Sequence, residues 1–179
     1  MFRRRAQRIL RRIARTDVSA MVQHANQLMS SRDYAGAADA FKELAQRAEE
    51  KFPHRAPFLF MEAGHAAILS GQTKIGVTHL RRGLTLFASQ GRIHRMQAFG
   101  QRAIDELNAR NLNAEADEIS NLLSGNLPKE IPTQPPASKR PILPTHCPSC
   151  GAAVRANEIE WLDDVTAECD YCGSPIRGE

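Results

Sequence analysis

The chain has four cysteines, all at or beyond position 147. They come as two pairs, Cys147-Pro148-Ser149-Cys150-Gly151 and Cys169-Asp170-Tyr171-Cys172-Gly173, with eighteen residues between Cys150 and Cys169. Two residues between cysteines let both thiolates face one ion while main-chain N–H groups face the sulfurs. The glycine after each pair can take a positive φ and close the turn. Two such turns supply four sulfurs at about 2.3 Å in a tetrahedron, the shell of a structural zinc. Four sulfurs leave no open position, so the ion is expected to organise the chain rather than react. Residues 147–179 are too few to hold a core unaided. Metal binding, on the order of 10–16 kcal/mol in small sites of this kind, would supply the folding energy.

The residues between the pairs suit a small sheet. Glu158-Ile159-Glu160-Trp161 alternates polar and apolar, Val165 to Cys169 does so in part, and Asp163-Asp164 can turn between them. Trp161 is expected to cover the thiolates. The segment from Cys147 to Gly173 resembles a zinc ribbon, which implies one structural Zn2+ on Cys147, Cys150, Cys169 and Cys172. Iron held as in rubredoxin uses the same two turns and stays open as an alternative. A disulfide-exchange centre needs a single C-x-x-C in a βαβ unit, which the pattern lacks. His146, beside the first cysteine, is read as solvent-exposed or supporting, because four sulfurs complete the shell.

The elements that must position this module lie upstream. Residues 17–125 read as helical and carry an internal repeat. Ala25, Leu28, Met29, Arg32, Asp33, Tyr34, Ala37, Phe41 and Leu44 match Gly64, Ala67, Ile68, Gly71, Gln72, Thr73, Gly76, Leu80 and Gly83 at an offset of 39. Ile104, Leu107, Asn111, Ala116, Ser120 and Leu123 form a third copy 40 positions later. Each copy reads as helix, short turn, helix, with Asp33 and Thr73 as N-caps of second helices. Small Ala37 and Gly76 allow close helix approach.

This segment resembles a tetratricopeptide repeat array, most clearly in Arg32-Asp33-Tyr34-x-x-Ala37-x-x-x-Phe41. The period is longer than that family's usual one. That predicts extended helices or loops near Lys51–Arg55 and Phe87–Gly91. A plain bundle of six antiparallel helices is the alternative. The resemblance implies a groove lined by first helices, with Asn26, Met29, Met61, His65, Gln101, Asp105 and Asn108 facing a protein partner; Met29 and Met61 suit core packing equally well. The expected fold is therefore mostly α: about three helical hairpins, then a linker and a small β zinc ribbon.

Net charge is +4, unevenly spread. Residues 1–16 hold seven arginines and no acid, residues 17–125 balance twelve bases against twelve acids, and residues 147–179 carry two arginines against seven acids. At 100° per residue, Phe2, Ala6, Ile9, Leu10 and Ile13 of the arm share one arc, opposite Arg4, Arg5, Arg8, Arg11, Arg12 and Arg15. Such an arm suits a membrane surface or a protein groove, or a mitochondrial transit peptide in a eukaryotic source. Residues 126–146, with six prolines, read as an extended linker that holds the modules apart. The acidic ribbon disfavours DNA.

No catalytic constellation, phosphate-binding glycine loop or membrane-spanning run is present in the sequence, and a secretory signal is not expected, because the basic first residues are followed by no apolar h-region. The expectation is a cytoplasmic, non-enzymatic adaptor with no small-molecule substrate, peripheral at the inner face of a membrane if the arm binds lipid. A nucleic-acid or ribosome-associated factor using arm and ribbon is the alternative, and a rubredoxin-like electron carrier a minor one.

Overall fold

A computed structural model describes residues 18–126, 141–156, 159–161, 165–172 and 174–178. The arm residues Phe2, Arg4, Arg5, Arg8, Ile9, Arg11, Arg12, Ile13 and Arg15, the Asp163-Asp164 turn and Gly173 lie outside these. Among the described residues the chain forms six helices and one small sheet. The helices are α1 (18–30), α2 (Tyr34–Lys51), α3 (Ala56–Leu69), α4 (Thr73–Ser89), α5 (Ile93–Ala109) and α6 (Asn113–Asn126).

Four of the five helix connections use the same chemistry. Arg32, Gly71, Gly91 and Asn111 take φ of 64°, 82°, 70° and 60°. In each case the next residue's N–H reaches back five positions: Asp33 to Leu28, Gln72 to Ala67, Arg92 to Phe87, Leu112 to Leu107, all at 2.9 Å. This closure satisfies carbonyls that a helix end leaves bare. Asp33 caps α2 by accepting from the Gly36 N–H at 3.0 Å. Thr73 does not cap α4: the N-cap is Gln72, which makes no side-chain cap bond, and Thr73 is the first helical residue. The repeat alignment explains the shift, since Gln72 is the position that matches Asp33. The longer spacing is absorbed mainly by helix length, α2 running 18 residues and α4 17.

Helix α3 is the centre of the molecule. Eleven of its fourteen residues are buried, so its apolar character belongs to a core helix. It meets α4 where both backbones are bare. A Cβ on Gly76 would sit 2.9 Å from the Gly64 carbonyl oxygen and 2.6 Å from Ile68 Cγ1. Farther along, a Cβ on Gly83 would meet the Pro57 carbonyl oxygen at 2.8 Å. Leu80 packs beside Gly64 at this crossing, Phe41, Leu84 and Phe87 are fully buried, and Met96, Leu107 and Ile119 carry the core into the last hairpin. Ser120, aligned with the bulky Phe41 and Leu80, is exposed. Ile119, one position earlier and fully buried, takes the inward place. No helix among the described residues is long and apolar enough to cross a membrane.

The C-terminal sheet has three antiparallel strands in the order β1 (Glu160–Trp161), β2 (Thr166–Glu168), β3 (Pro175–Arg177). Trp161 pairs with Ala167, and Ala167 with Ile176. The third strand was not expected from the sequence, because Pro-Ile-Arg is too short to show alternation. The ribbon does not hang apart from the helices. One hydrophobic core runs from Val22 through α3 to Cys172 and Ile176, with Trp161 packed partly buried against it.

Candidate metal centre

Each cysteine pair sits on a short turn fixed by main-chain bonds. In the first, the Cys147 N–H donates to the Ala152 carbonyl at 2.8 Å and Gly151 N–H to the Cys147 carbonyl at 2.9 Å. Gly151 has φ of 75°, the conformation expected of it. In the second, the Cys169 N–H donates to the Ser174 carbonyl at 2.9 Å. His146 is exposed and accompanies Thr145, while its backbone bridges to Ala153.

All four cysteines are free thiols and buried. Their sulfurs lie within 4.8 Å of one another. Cys147 and Cys172 are 3.8 Å apart, as are Cys150 and Cys169. Four sulfurs at about 2.3 Å from one ion in a regular tetrahedron have edges of about 3.8 Å, so the cluster has the size a metal requires. The thiols also polarise one another. Cys147 is pushed down to about 7 by its contacts with Cys150 and then Cys169. Cys172 is pushed down as well, chiefly by Cys147, while Cys150 and Cys169 are pushed up, chiefly by the same residue. Four thiolates this close cannot all ionise unless a cation stands among them. A divalent ion removes that conflict. The four residues therefore form a site fitted to one metal ion.

What surrounds the site is as specific as the site. Ser19 Oγ and Asn26 Nδ2, from α1, donate to the carbonyls of Ser149 (2.7 Å) and Cys150 (2.9 Å) on the first turn. Arg55, at the start of α3 and only 4% exposed, donates to the Cys172 carbonyl and to Glu168 Oε1, both at 3.0 Å. Arg95 of α5 donates to Asp170 Oδ1 at 2.6 Å, and Arg92 lies 3.9 Å from the same oxygen. The Tyr171 hydroxyl donates to Glu62 Oε1 at 2.9 Å. Its ring stands 5.9 Å from Phe58, which packs edge-on to Phe87 and Phe99 at 4.9 and 5.4 Å. Burial, followed by the charge of Glu62, raises the Tyr171 hydroxyl well above its ordinary value, so it stays a donor.

These contacts come from α1, α3 and α5 or the residues that start them, the first helices of the three hairpins. Of the residues predicted to face a partner, Asn26 touches the ribbon. Met61 is buried beneath Gly83, whose added Cβ would lie 2.9 Å from its sulfur, and Met29 packs against the core. His65 pairs with Glu106 at 3.3 Å. Gln101 donates to Asp105 at 2.9 Å, and these two and Asn108 are exposed on α5. Arg55, Arg92, Arg95, Glu62 and Tyr171 were missed by sequence reasoning. One signal was available: Arg55 and Arg95 stand 40 positions apart, the offset between the second and third aligned sequence segments.

A concavity of about 530 Å³ lies between α1 and α2, lined by Met21, Leu28 and Leu44 with His24, Asp39 and Glu43. The chain matches no protein-family model, no curated protein and no solved structure.

Proposed function

We propose that the protein is a non-enzymatic adaptor: a tetratricopeptide-like helical array that recognises a protein partner, completed by a ribbon folded around one structural zinc. The observation that carries this reading is that the first helices of all three hairpins present side chains to one face, and that face already holds a folded protein segment. A surface that arranges Ser19, Asn26, Arg55, Glu62 and Arg95 around peptide carbonyls, a phenol and carboxylates is built for polypeptide. The left-handed turn residues Arg32, Gly71 and Asn111 recur at the same spacing as the aligned copies, which supports a repeat origin. Zinc suits a closed, all-thiolate shell whose task is to hold two turns together. The basic arm ahead of residue 17 would add an anchoring point on a membrane surface or a partner complex.

The test is affinity purification of the tagged full chain beside a variant with Gln101, Asp105 and Asn108 changed to alanine. These are exposed positions on α5, so the variant keeps its fold. A stoichiometric protein partner lost from the variant supports the reading. Recovery of no partner, or of one indifferent to the substitutions, contradicts it.

A further inference from the structure

We infer that residues 1–16 fold back over the first hairpin and seat the apolar side of the arm in the concavity between α1 and α2, closing that end of the helical body.

The later hairpins indicate what belongs on this side of the first. In the second, Phe60 is 5% exposed and its ring stands 6.1 Å from that of His79. Lys42 and Asp39 of α2 are close enough to act on His79, and Arg82 pairs with Glu49 of the same helix. Helix α2 thus covers that side of α4. Arg81 pairs with Glu118, so α4 stands in the same relation to α6. At the offset of 39, Phe60, His79 and Arg82 align with Met21, Ala40 and Glu43. All three line the concavity and are at least partly exposed. The concavity is walled by residues of α1 and α2 alone.

The two ends of the helical body also differ in polarity. Helix α6 turns Asp117, Ser120, Asn121 and Ser124 to solvent, the polar outer surface on which a stack of hairpins can end. The first hairpin instead leaves Met21, Leu28 and Ala40 partly exposed beside a buried Leu44. Apolar surface of that kind gains by being covered.

The arm has the length, the place and the charge for this cover. Helix α1 spans residues 18–30. That is about 20 Å of helix, and sixteen residues wound the same way reach about 24 Å, enough to run back along it. Thr16 and Asp17, between the two, are residue types that start a helix rather than continue one. Ile13 and Met21 stand four positions either side of Asp17, and Ala6 and Leu28 eleven, so a fold-back there brings each pair level. The arm carries seven arginines and no acid, and the carboxylates of Asp39 and Glu43 edge the concavity. Their partners, Lys42 at 3.7 Å and Arg47 at 2.6 Å, are partly exposed side chains of α2 itself. Such pairs hold weakly, and a carboxylate accepts from more than one cation. An arm seated here has its apolar side inside the protein, so lipid or a partner groove takes it only by displacing it from the concavity.

The test uses the full-length chain carrying Leu10→p-benzoylphenylalanine, a photoreactive side chain on the apolar side of the arm. Irradiated samples are prepared at several dilutions, with and without phosphatidylglycerol vesicles, and the crosslinked peptides are mapped by mass spectrometry. The expected result, without vesicles, is a crosslink within one chain from the arm to segment 20–28 or 36–44. Two further substitutions should each lower its yield about tenfold, because each sets a charge in an apolar seat. Ala40→Arg does so from the concavity, and Ile13→Asp from the arm. Ile13 precedes the six helices, so its variant decides the matter even where Ala40→Arg reduces the far-UV helical signal. Absence of the intrachain crosslink overturns the proposal. So does a crosslink between two chains whose yield falls on dilution, which makes a second copy the occupant, and so does one that forms only to lipid, which gives the arm to a membrane. An undiminished yield in Ile13→Asp overturns it as well, since the contact would then owe nothing to the apolar side of the arm.

Discussion

Arg55 joins the helices to the C-terminal segment through its side chain. It is buried, its two terminal nitrogens reach a carboxylate and a main-chain carbonyl at 3.0 Å, and its guanidinium stacks 5.2 Å from the Phe52 ring. Arg55→Ala leaves Glu168 without its cation and the Cys172 carbonyl without its donor. Charged hydrogen bonds of this type contribute about 1.5–3 kcal/mol, and a loss of that size is expected in urea unfolding of the zinc-loaded protein. A change below about 0.5 kcal/mol, the level of an ordinary surface substitution, would show the contact to be incidental. His79 on α4 gives a pH test. Burial, then the neighbouring Lys42, lowers its pKa below 6.5, with Asp39 acting in the opposite direction. The folded protein thus holds fewer protons than the unfolded chain below that value, so stability falls as pH drops from about 6.5 through the folded pKa. His79→Gln should flatten this part of the stability profile; an unchanged slope would place its origin elsewhere. The four cysteines of the candidate metal site were legible in the sequence, since two C-x-x-C units need no tertiary information to be recognised. Arg55, Glu62 and Tyr171 were not, because a lone arginine, glutamate and tyrosine signal nothing until the fold brings them together. Even the apolar run Ala56 to Leu69 hid its meaning: its polar interruptions Glu62 and His65 are the residues with partners, Tyr171 and Glu106.

At the scale of elements, the hairpins are set by turns and by bare backbone at crossings. Gly76→Ala places a methyl 2.9 Å from a carbonyl oxygen of α3, which a flexible side chain's movement cannot relieve. Overpacking of this kind costs about 1–3 kcal/mol. Gly125, in α6 with nothing within 4 Å of an added Cβ, is the control. There the same substitution should be neutral or stabilise by up to about 1 kcal/mol, through the lower entropy alanine has to lose. Parallel unfolding curves check both signs; equal effects would remove close helix approach as the reason for glycine at position 76. Helix number and hairpin order were legible because the repeat of small and large residues marks both helices and the turn between them. Of the two expected caps, Asp33 is found at the start of α2, whereas Thr73 has the better capping side chain, yet the register set by the preceding left-handed Gly71 puts Gln72 at the cap of α4. The third strand escaped because three residues are too few for a period of two to register.

At the scale of the molecule, the change in composition between the helical stretch and the cysteine-bearing C-terminal segment was visible in the sequence, and the core they share was not. A proline-rich connection predicts reach, and reach permits docking as readily as separation. The docked arrangement shares one apolar core and sets acids around the second cysteine pair against Arg55, Arg92 and Arg95, a match that becomes readable only when the first helices are seen to share a face. The proposed function has one ion holding the two cysteine turns together. X-ray absorption at the zinc edge on the purified full chain, with metal content measured on the same sample, tests this most directly. One zinc per chain in a shell of four sulfurs at about 2.3 Å is the predicted result. A substoichiometric metal, an iron edge, or a shell containing nitrogen or oxygen would contradict it.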